Sequence, residues 1–471
     1  MRVRSLILLV CAVLGTVIVL QGETIVLKNG RRILADTARE EGGKVTYEVG
    51  ENSYSIPKSL VDHVESGGLP NVARQSNKED IPDYTPQEKL PLSDSFSVRI
   101  VRDGHVDTEL LNALDAAGNP QNAAAAYFSA ARFEHERGNR DKSLAYLRRA
   151  LVYLPDNSTL LDHYAATLVQ MGRPEEAITH AEHAARITPD SPETLTVLGF
   201  AYFGADRTRD AIRVWKKSVS IRPDATVSKY LEGAERDAAA ESDYSQRESG
   251  HFTLKYEGKQ ISDALSRSIL ATLENHYDGL VRELGVTPRS NITVVLYTEQ
   301  AFFDVTQSPA WIGALNDGKI RIPIEGVTSM NGELSRVLRH ELAHSFITQV
   351  SRGRCPQWLH EGIAQVLEGR NTAPFGRALA KVYARQNQIP LNLLETSFLN
   401  LSNTQAALAY SEALAAAEYI NSTYGMSDLR NILERIGQGS STEAALRSTV
   451  HSGYKDLEIE IGRYLKDKYG T

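Results

Sequence analysis

The chain has 471 residues, of which 42% are apolar and 24% charged, and its formal net charge is −7. That length implies about three folding units. The composition excludes wholesale disorder and a collagen-like fibre, and the absence of a basic footprint excludes a general nucleic-acid binder.

Met1-Arg-Val-Arg4 precedes an uncharged, mostly apolar run, Ser5–Leu20. A basic start followed by such a run reads as a secretory signal. No small-x-small cleavage site precedes Glu23, so residues 1–22 are either a signal peptide or a single membrane anchor. Both place the rest of the chain outside the cytosol, in the periplasm or another extracytoplasmic space. The only cysteines are Cys11, inside this segment, and Cys355. The folded part therefore has no internal disulfide and no cysteine-rich zinc finger.

Residues 23–66 alternate as strands do. Glu23–Lys28 is followed by Asn29-Gly30, a strong hairpin signal, and Arg31–Asp36 returns. Lys44–Val49, Ser53–Ile56 and Leu60–Val64 complete five short strands, which suggests a small SH3-like β-barrel used for docking or spacing. Residues 67–104 lose periodicity and carry Pro70, Pro82, Pro86 and Pro91, the composition of an extended, solvated linker.

Residues 105–241 repeat. Pro155, Pro189 and Pro223 recur at a constant interval, and each repeat contains small residues such as Gly138, Gly172 and Gly199 and large ones such as Tyr127, Tyr164 and Tyr202. This pattern resembles tetratricopeptide repeats, an all-α solenoid of helix pairs. Residues 226–241 read as a capping helix with a polar outer face. The resemblance implies a concave groove for a peptide or partner protein; a plain scaffold fits the sequence equally well.

Residues 242–471 place strands first and helices later, an α+β layout. His251–Tyr256 and Asn291–Tyr297 read as strands, Ile261–Leu284 as a long helix ended by Gly285, and Lys319–Ile324 as an edge strand because of Pro323. Gly332–Val350 is helical, with Leu334, Leu338 and Leu342 as its core stripe. On it lie His340-Glu341-x-x-His344. Histidines four apart project from one helix face, which suits two nitrogens on a single Zn²⁺. Glu341 lies about a quarter-turn away, within reach of a water that the metal activates. Cys355-Pro-Gln-Trp-Leu-His-Glu-Gly-Ile-Ala364 begins a second helix, returned antiparallel through Gly353. From it Glu361 supplies the third ligand. The adjacent His360 is a rival, but about 100° per residue keeps both from facing one metal, and Glu361 is preferred. Two histidines and one glutamate leave one position open, as in catalytic rather than structural zinc sites.

His-Glu-x-x-His followed by Trp358-Leu-x-Glu361-Gly362-x-Ala364 resembles the glutamate-zincin metallopeptidases. More closely, residues 249–471 are similar to the bacterial peptidase MA-like domains that follow tetratricopeptide repeats. The spacing between His344 and Glu361 departs from the thermolysin pattern, and no motif for grasping a free amino terminus is near. The resemblance implies zinc-dependent hydrolysis of a protein or peptide substrate, with Glu341 as general base. It also implies a downstream tyrosine for the oxyanion, for which Tyr410 is the candidate. The alternative is a non-enzymatic repeat adaptor with a vestigial zinc domain, against which the retained Glu341 speaks. The edge strand 319–324 is a candidate for pairing with an extended peptide.

Overall fold

The computed structural model describes residues 84–470 apart from 98, 103, 259, 289–290, 307–313, 325, 399–400 and 402. Before these it describes residues 23–66 apart from 29–31, 36, 42 and 50–51. The signal or anchor segment 1–22, the Asn29-Gly30 turn and residues 67–83 lie outside the described residues. Among the described residues no helix is long and apolar enough to cross a membrane.

The first unit contains β1 (Glu23–Leu27), β2 (Arg32–Ala35), β3 (Thr37–Glu41), β4 (Lys44–Val49), β5 (Asn52–Pro57) and β6 (Val61–Ser66). They form two antiparallel three-stranded sheets, β2-β1-β6 and β3-β4-β5. β3 is the strand that the alternation misses, because Thr37-Ala-Arg-Glu-Glu41 offers only Ala38 to an apolar face. Ile25, Val45 and Val61 form the shared core.

The stretch 67–104 differs from a solvated linker in its second half. From Tyr84 on it packs onto the helices that follow, with Leu90, Phe96 and Ile100 buried in their core. It contains α1 (Ser93–Ser97) and the start of a short hairpin, β7 (Val101–Arg102) and β8 (His105–Val106). After α2 (Thr108–Ala116) come three helical hairpins. These pair α3 (Pro120–Glu136) with α4 (Arg140–Tyr153), α5 (Ser158–Gln170) with α6 (Pro174–Ile187), and α7 (Pro192–Gly204) with α8 (Thr208–Ile221). Asn119, Asn157 and Ser191 cap the first helix of each. Pro155, Pro189 and Pro223 follow the ends of α4, α6 and α8, where a missing N–H breaks no helical bond. Gly199 admits the fully buried Trp215, whose Nε1 would lie 2.1 Å from a Cβ there.

α9 (Ala225–Ala240) closes the stack but is more than a polar cap. It docks on a five-stranded sheet of order β12-β13-β11-β10-β9, made of β9 (Ser245–Glu248), β10 (Phe252–Tyr256), β11 (Ile292–Tyr297), β12 (Leu315–Asn316) and β13 (Ile320–Pro323). The pairs β10–β11 and β11–β13 are parallel, and the two outer pairs antiparallel. β11 is buried on both faces. Val294 and Leu296 enter the main core with α10 (Asp263–Leu284) and the later helices; Val295 and Tyr297 face α11 (Glu299–Thr306) and Ala240. β13 is not the edge. β12 covers Ile320 and Arg321, and Pro323 lies two residues past that ladder.

Charge fills the junction between stack and sheet. Arg321 Nη1 and Nη2 donate to Asp237 Oδ1 and Oδ2 at 2.9 and 2.8 Å, and Arg321 Nε to Asp317 Oδ2 at 2.9 Å. Asp206, in the α7–α8 turn, lies 2.6 Å from Lys319 Nζ and 2.7 Å from Lys255 Nζ. Tyr297 OH donates to Glu241 Oε1 at 3.0 Å. Arg321 and Asp237 are only 3% and 4% exposed, so removing either leaves the other a buried charge short of its main partner.

The remaining helices are α12 (Gly332–Ser351), α13 (Gln357–Glu368), α14 (Gly376–Ala384), α15 (Asn403–Thr423), α16 (Met426–Gly437), α17 (Thr442–Val450) and α18 (Tyr454–Tyr469). They share one core with α10 and the inner face of the sheet.

Burial opposes ionisation of Asp206 and Asp237, but Lys319 and Lys255 on one and Arg321 and Lys319 on the other outweigh it and hold both below the usual aspartate range. Their stabilisation is therefore complete above the ordinary value of about 3.9 and is lost as pH falls through the lower folded values. Asp237→Ala is expected to destabilise the chain by about 3–5 kcal/mol at pH 7. Urea unfolding at pH 7 and pH 3 checks both statements: the deficit of the variant shrinks at the lower pH.

Candidate metal centre

α12 starts where Asn331 Oδ1 accepts the Leu334 N–H at 2.8 Å. Leu334, Leu338 and Leu342 anchor it in the core, as their spacing predicts. That anchoring fixes the direction of His340, Glu341 and His344. The helix ends at Arg352 and Gly353, both at positive φ (50° and 75°), and the chain turns. Pro356 is the N-cap of α13, one residue earlier than a first-turn position. α13 packs against both α12 and α15. At Gly362 a Cβ would lie 2.2 Å from Ala413 O, so a glycine is what lets α13 sit this close to α15.

The result is a cluster of three donors. His340 Nε2 and His344 Nε2 are 3.2 Å apart, and Glu361 Oε2 is 3.7 Å from the first and 3.9 Å from the second. These ligand atoms all lie within 4.8 Å of one another. Ligands at 2.0–2.2 Å around a tetrahedral ion stand about 3.3 Å apart, so the three fit one metal with small adjustment. His360 is not among them. Its ring stacks on His344 at 4.6 Å, and its Nε2 lies 3.3 Å from Thr348 Oγ1.

Neighbouring groups orient the donors. His340 Nδ1 lies 3.1 Å from Glu368 Oε2, and as the donor it leaves Nε2 with its lone pair toward the cluster. Arg370 Nε holds the other oxygen of Glu368 at 3.0 Å. Gln357 Nε2 donates to Glu361 Oε1 at 2.9 Å and turns Oε2 toward the imidazoles. His344 Nδ1 is buried with no partner among the described residues. Burial raises the Glu361 carboxyl, but His344 and His340 outweigh it and hold it at about 2. Glu341 is pushed up to about 7, chiefly by burial, with Glu361 and Glu368 adding to the shift and His340 opposing it.

Sequence spacing points to His340, His344 and Glu361, and the structure brings them together with Glu341 beside them, buried. It also places Tyr410 nearby. Burial and then the charges of Glu361 and Glu341 raise its phenol well above the usual range, while its ring meets Phe398 edge-on at 5.2 Å. Three contributors escape the sequence reading: Glu368, Gln357 and Asn316. Glu368 and Gln357 stand two turns after and one turn before Glu361 on the same helix, a legible spacing. Asn316 carries no local signal. Its Nδ2 donates to Glu341 O and Ser345 Oγ at 2.7 Å each, pinning the β12 edge against α12.

A family model matches part of this region. Residues 275–465 match the Peptidase MA superfamily. The matched span runs from within α10 into α18 and contains every residue of the cluster; it points to a metallopeptidase-type function for this part of the chain. The sheet strands β9 and β10, the helical hairpins and the first β unit lie outside it. No curated protein matches the chain.

Within the matched region, Glu368→Ala removes the hydrogen bond that sets the His340 ring. Metal affinity is expected to fall 10–100-fold with the fold retained. Competition with a chromophoric chelator measures it, and circular dichroism checks the fold.

Proposed function

We propose that the chain is an exported zinc-dependent metallopeptidase that hydrolyses peptide bonds. The observation that carries this is the convergence of His340 Nε2, His344 Nε2 and Glu361 Oε2 at 3.2–3.9 Å, with the buried Glu341 carboxylate next to them. Zinc is the ion this donor set suits, since two imidazoles and one carboxylate leave a coordination position open. Bound there, it supplies Lewis acidity toward a scissile carbonyl and toward water.

Glu341 takes the proton of the attacking water and returns it to the leaving amine. Its raised affinity for a proton suits both halves of that exchange. The Tyr410 phenol, kept protonated by its burial and then by the charges of Glu361 and Glu341, donates to the developing oxyanion. β12 is the outer strand beside α12, so an extended substrate that adds to its edge runs past Glu341. The peptide edge is thus β12 rather than β13.

Around this site we read residues 1–22 as the export signal or anchor, 23–66 as the SH3-like barrel, 67–104 as a connection whose part from Tyr84 on belongs to the helical stack, 105–241 as tetratricopeptide repeats and 242–471 as the zincin-like domain. The location is the periplasm or another extracytoplasmic space, and the repeats recruit substrate or a partner.

Glu341→Gln tests the proposal. It is expected to keep one zinc per chain by elemental analysis and to lose about 10²–10⁴-fold of the cleavage of denatured protein. Zinc without cleavage in either protein would favour the adaptor. Tyr410→Phe is expected to lower kcat about 10²-fold, with KM little changed.

A further inference from the structure

Residues Tyr84–Leu90 run without helix or strand along the first helices of all three hairpins. On α3, His135 Nε2 lies 2.9 Å from Thr85 Oγ1. On α5, Gln170 Nε2 donates to Tyr84 O at 3.0 Å, and His163 Nε2 to Glu88 O at 2.9 Å. On α7, Glu193 Oε2 accepts the Glu88 N–H at 3.0 Å, and the Phe200 ring lies 5.5 Å from that of Tyr84. Leu90 is buried beyond them.

Two features set this contact apart from ordinary packing. Most of the polar contacts go to main-chain groups of the segment (Tyr84 O, Glu88 O and Glu88 N), which is how a groove holds an extended peptide whatever its side chains. The groups that make them are also committed: His163 and Glu193 are 6% and 4% exposed, so their polar atoms find the segment where water would otherwise be needed. Past Leu90 the chain turns at Leu92, whose φ of 70° is costly for a residue with a Cβ, and is anchored by α1, where Ser129 Oγ donates to Ser93 O at 2.7 Å. The segment is thus tied to its groove by a short leash.

We propose that Tyr84–Leu90 is an intramolecular ligand seated in a peptide-binding groove of the hairpin stack, and that an extended peptide partner enters only when this segment leaves. The partner presents an aromatic side chain to the Phe200 pocket and, four residues on, a main-chain N–H to Glu193. A short leash gives the resident segment an effective concentration in the millimolar range. A free peptide therefore binds with an affinity reduced by the fraction of open grooves. The proposal holds whether or not the metal centre is catalytic, because its readout is binding rather than cleavage.

The test uses the full chain and a fluorescent peptide with the sequence of residues 83–92. Glu88→Pro removes the N–H that Glu193 accepts, and Tyr84→Ala empties the aromatic pocket. Both are expected to bind the peptide at least tenfold more tightly than the wild type does. Equal affinity in wild type and variants, or no binding to any of them, overturns the proposal. Hydrogen exchange on the wild type needs no variant to fold: saturating peptide is expected to speed exchange of the Glu88 amide while leaving α3–α8 unchanged. No acceleration overturns the proposal as well.

Discussion

Two imidazole nitrogens and a carboxylate oxygen face one another across less than 4 Å in a largely buried site. Three acceptors cannot satisfy each other, so the arrangement calls for a shared proton or a cation. The rest of the region reads as the means of holding that juxtaposition. The leucine stripe fixes the rotation of α12, and Gly362 lets α13 come close to α15. Glu368 and Gln357 turn the donors inward. Glu368 has a second attachment, to Arg370, so the His340 ring is oriented before a ligand arrives.

The hairpin stack and the sheet beside the site helices are joined by buried charge rather than by a hinge. β11 sends alternate side chains into two cores, one belonging to the site helices and one shared with α9. Asp206 and Asp237 of the stack meet Lys319, Lys255 and Arg321 of the sheet. At the other end of the stack Arg354 donates to Gly138 O, and Arg352 pairs with Asp141. Two contacts so far apart along the stack oppose a swinging motion. The hairpins thus keep a fixed orientation to β12 and α12.

Local spacing made much of this legible in the sequence. His340 and His344 stand four apart and the leucine stripe repeats by four, both periodicities of a single helix; the prolines after α4, α6 and α8 recur at one interval, the length of one helix pair. Glu361 was reachable because a short glycine turn leaves few ways for the next helix to return. What stayed hidden depends on distant partners. Arg321 and Asp237 are 84 residues apart, and neither differs from a surface charge until the fold is known. The prolines of 67–104 suggested a solvated linker, yet a chain without helix or strand is what fills a groove, and only the facing His163, Gln170 and Glu193 reveal it. The two residues of β12 are too few for alternation to mark, so Pro323 alone cast β13 as the edge.

The central claim is that His340, His344 and Glu361 share one metal ion. Anomalous diffraction from crystals of the zinc-loaded chain, recorded on both sides of the zinc absorption edge, tests it most directly. The account predicts one strong peak per chain, about 2.0–2.2 Å from His340 Nε2, His344 Nε2 and Glu361 Oε2. A peak elsewhere, or none in a folded and zinc-saturated crystal, would contradict it.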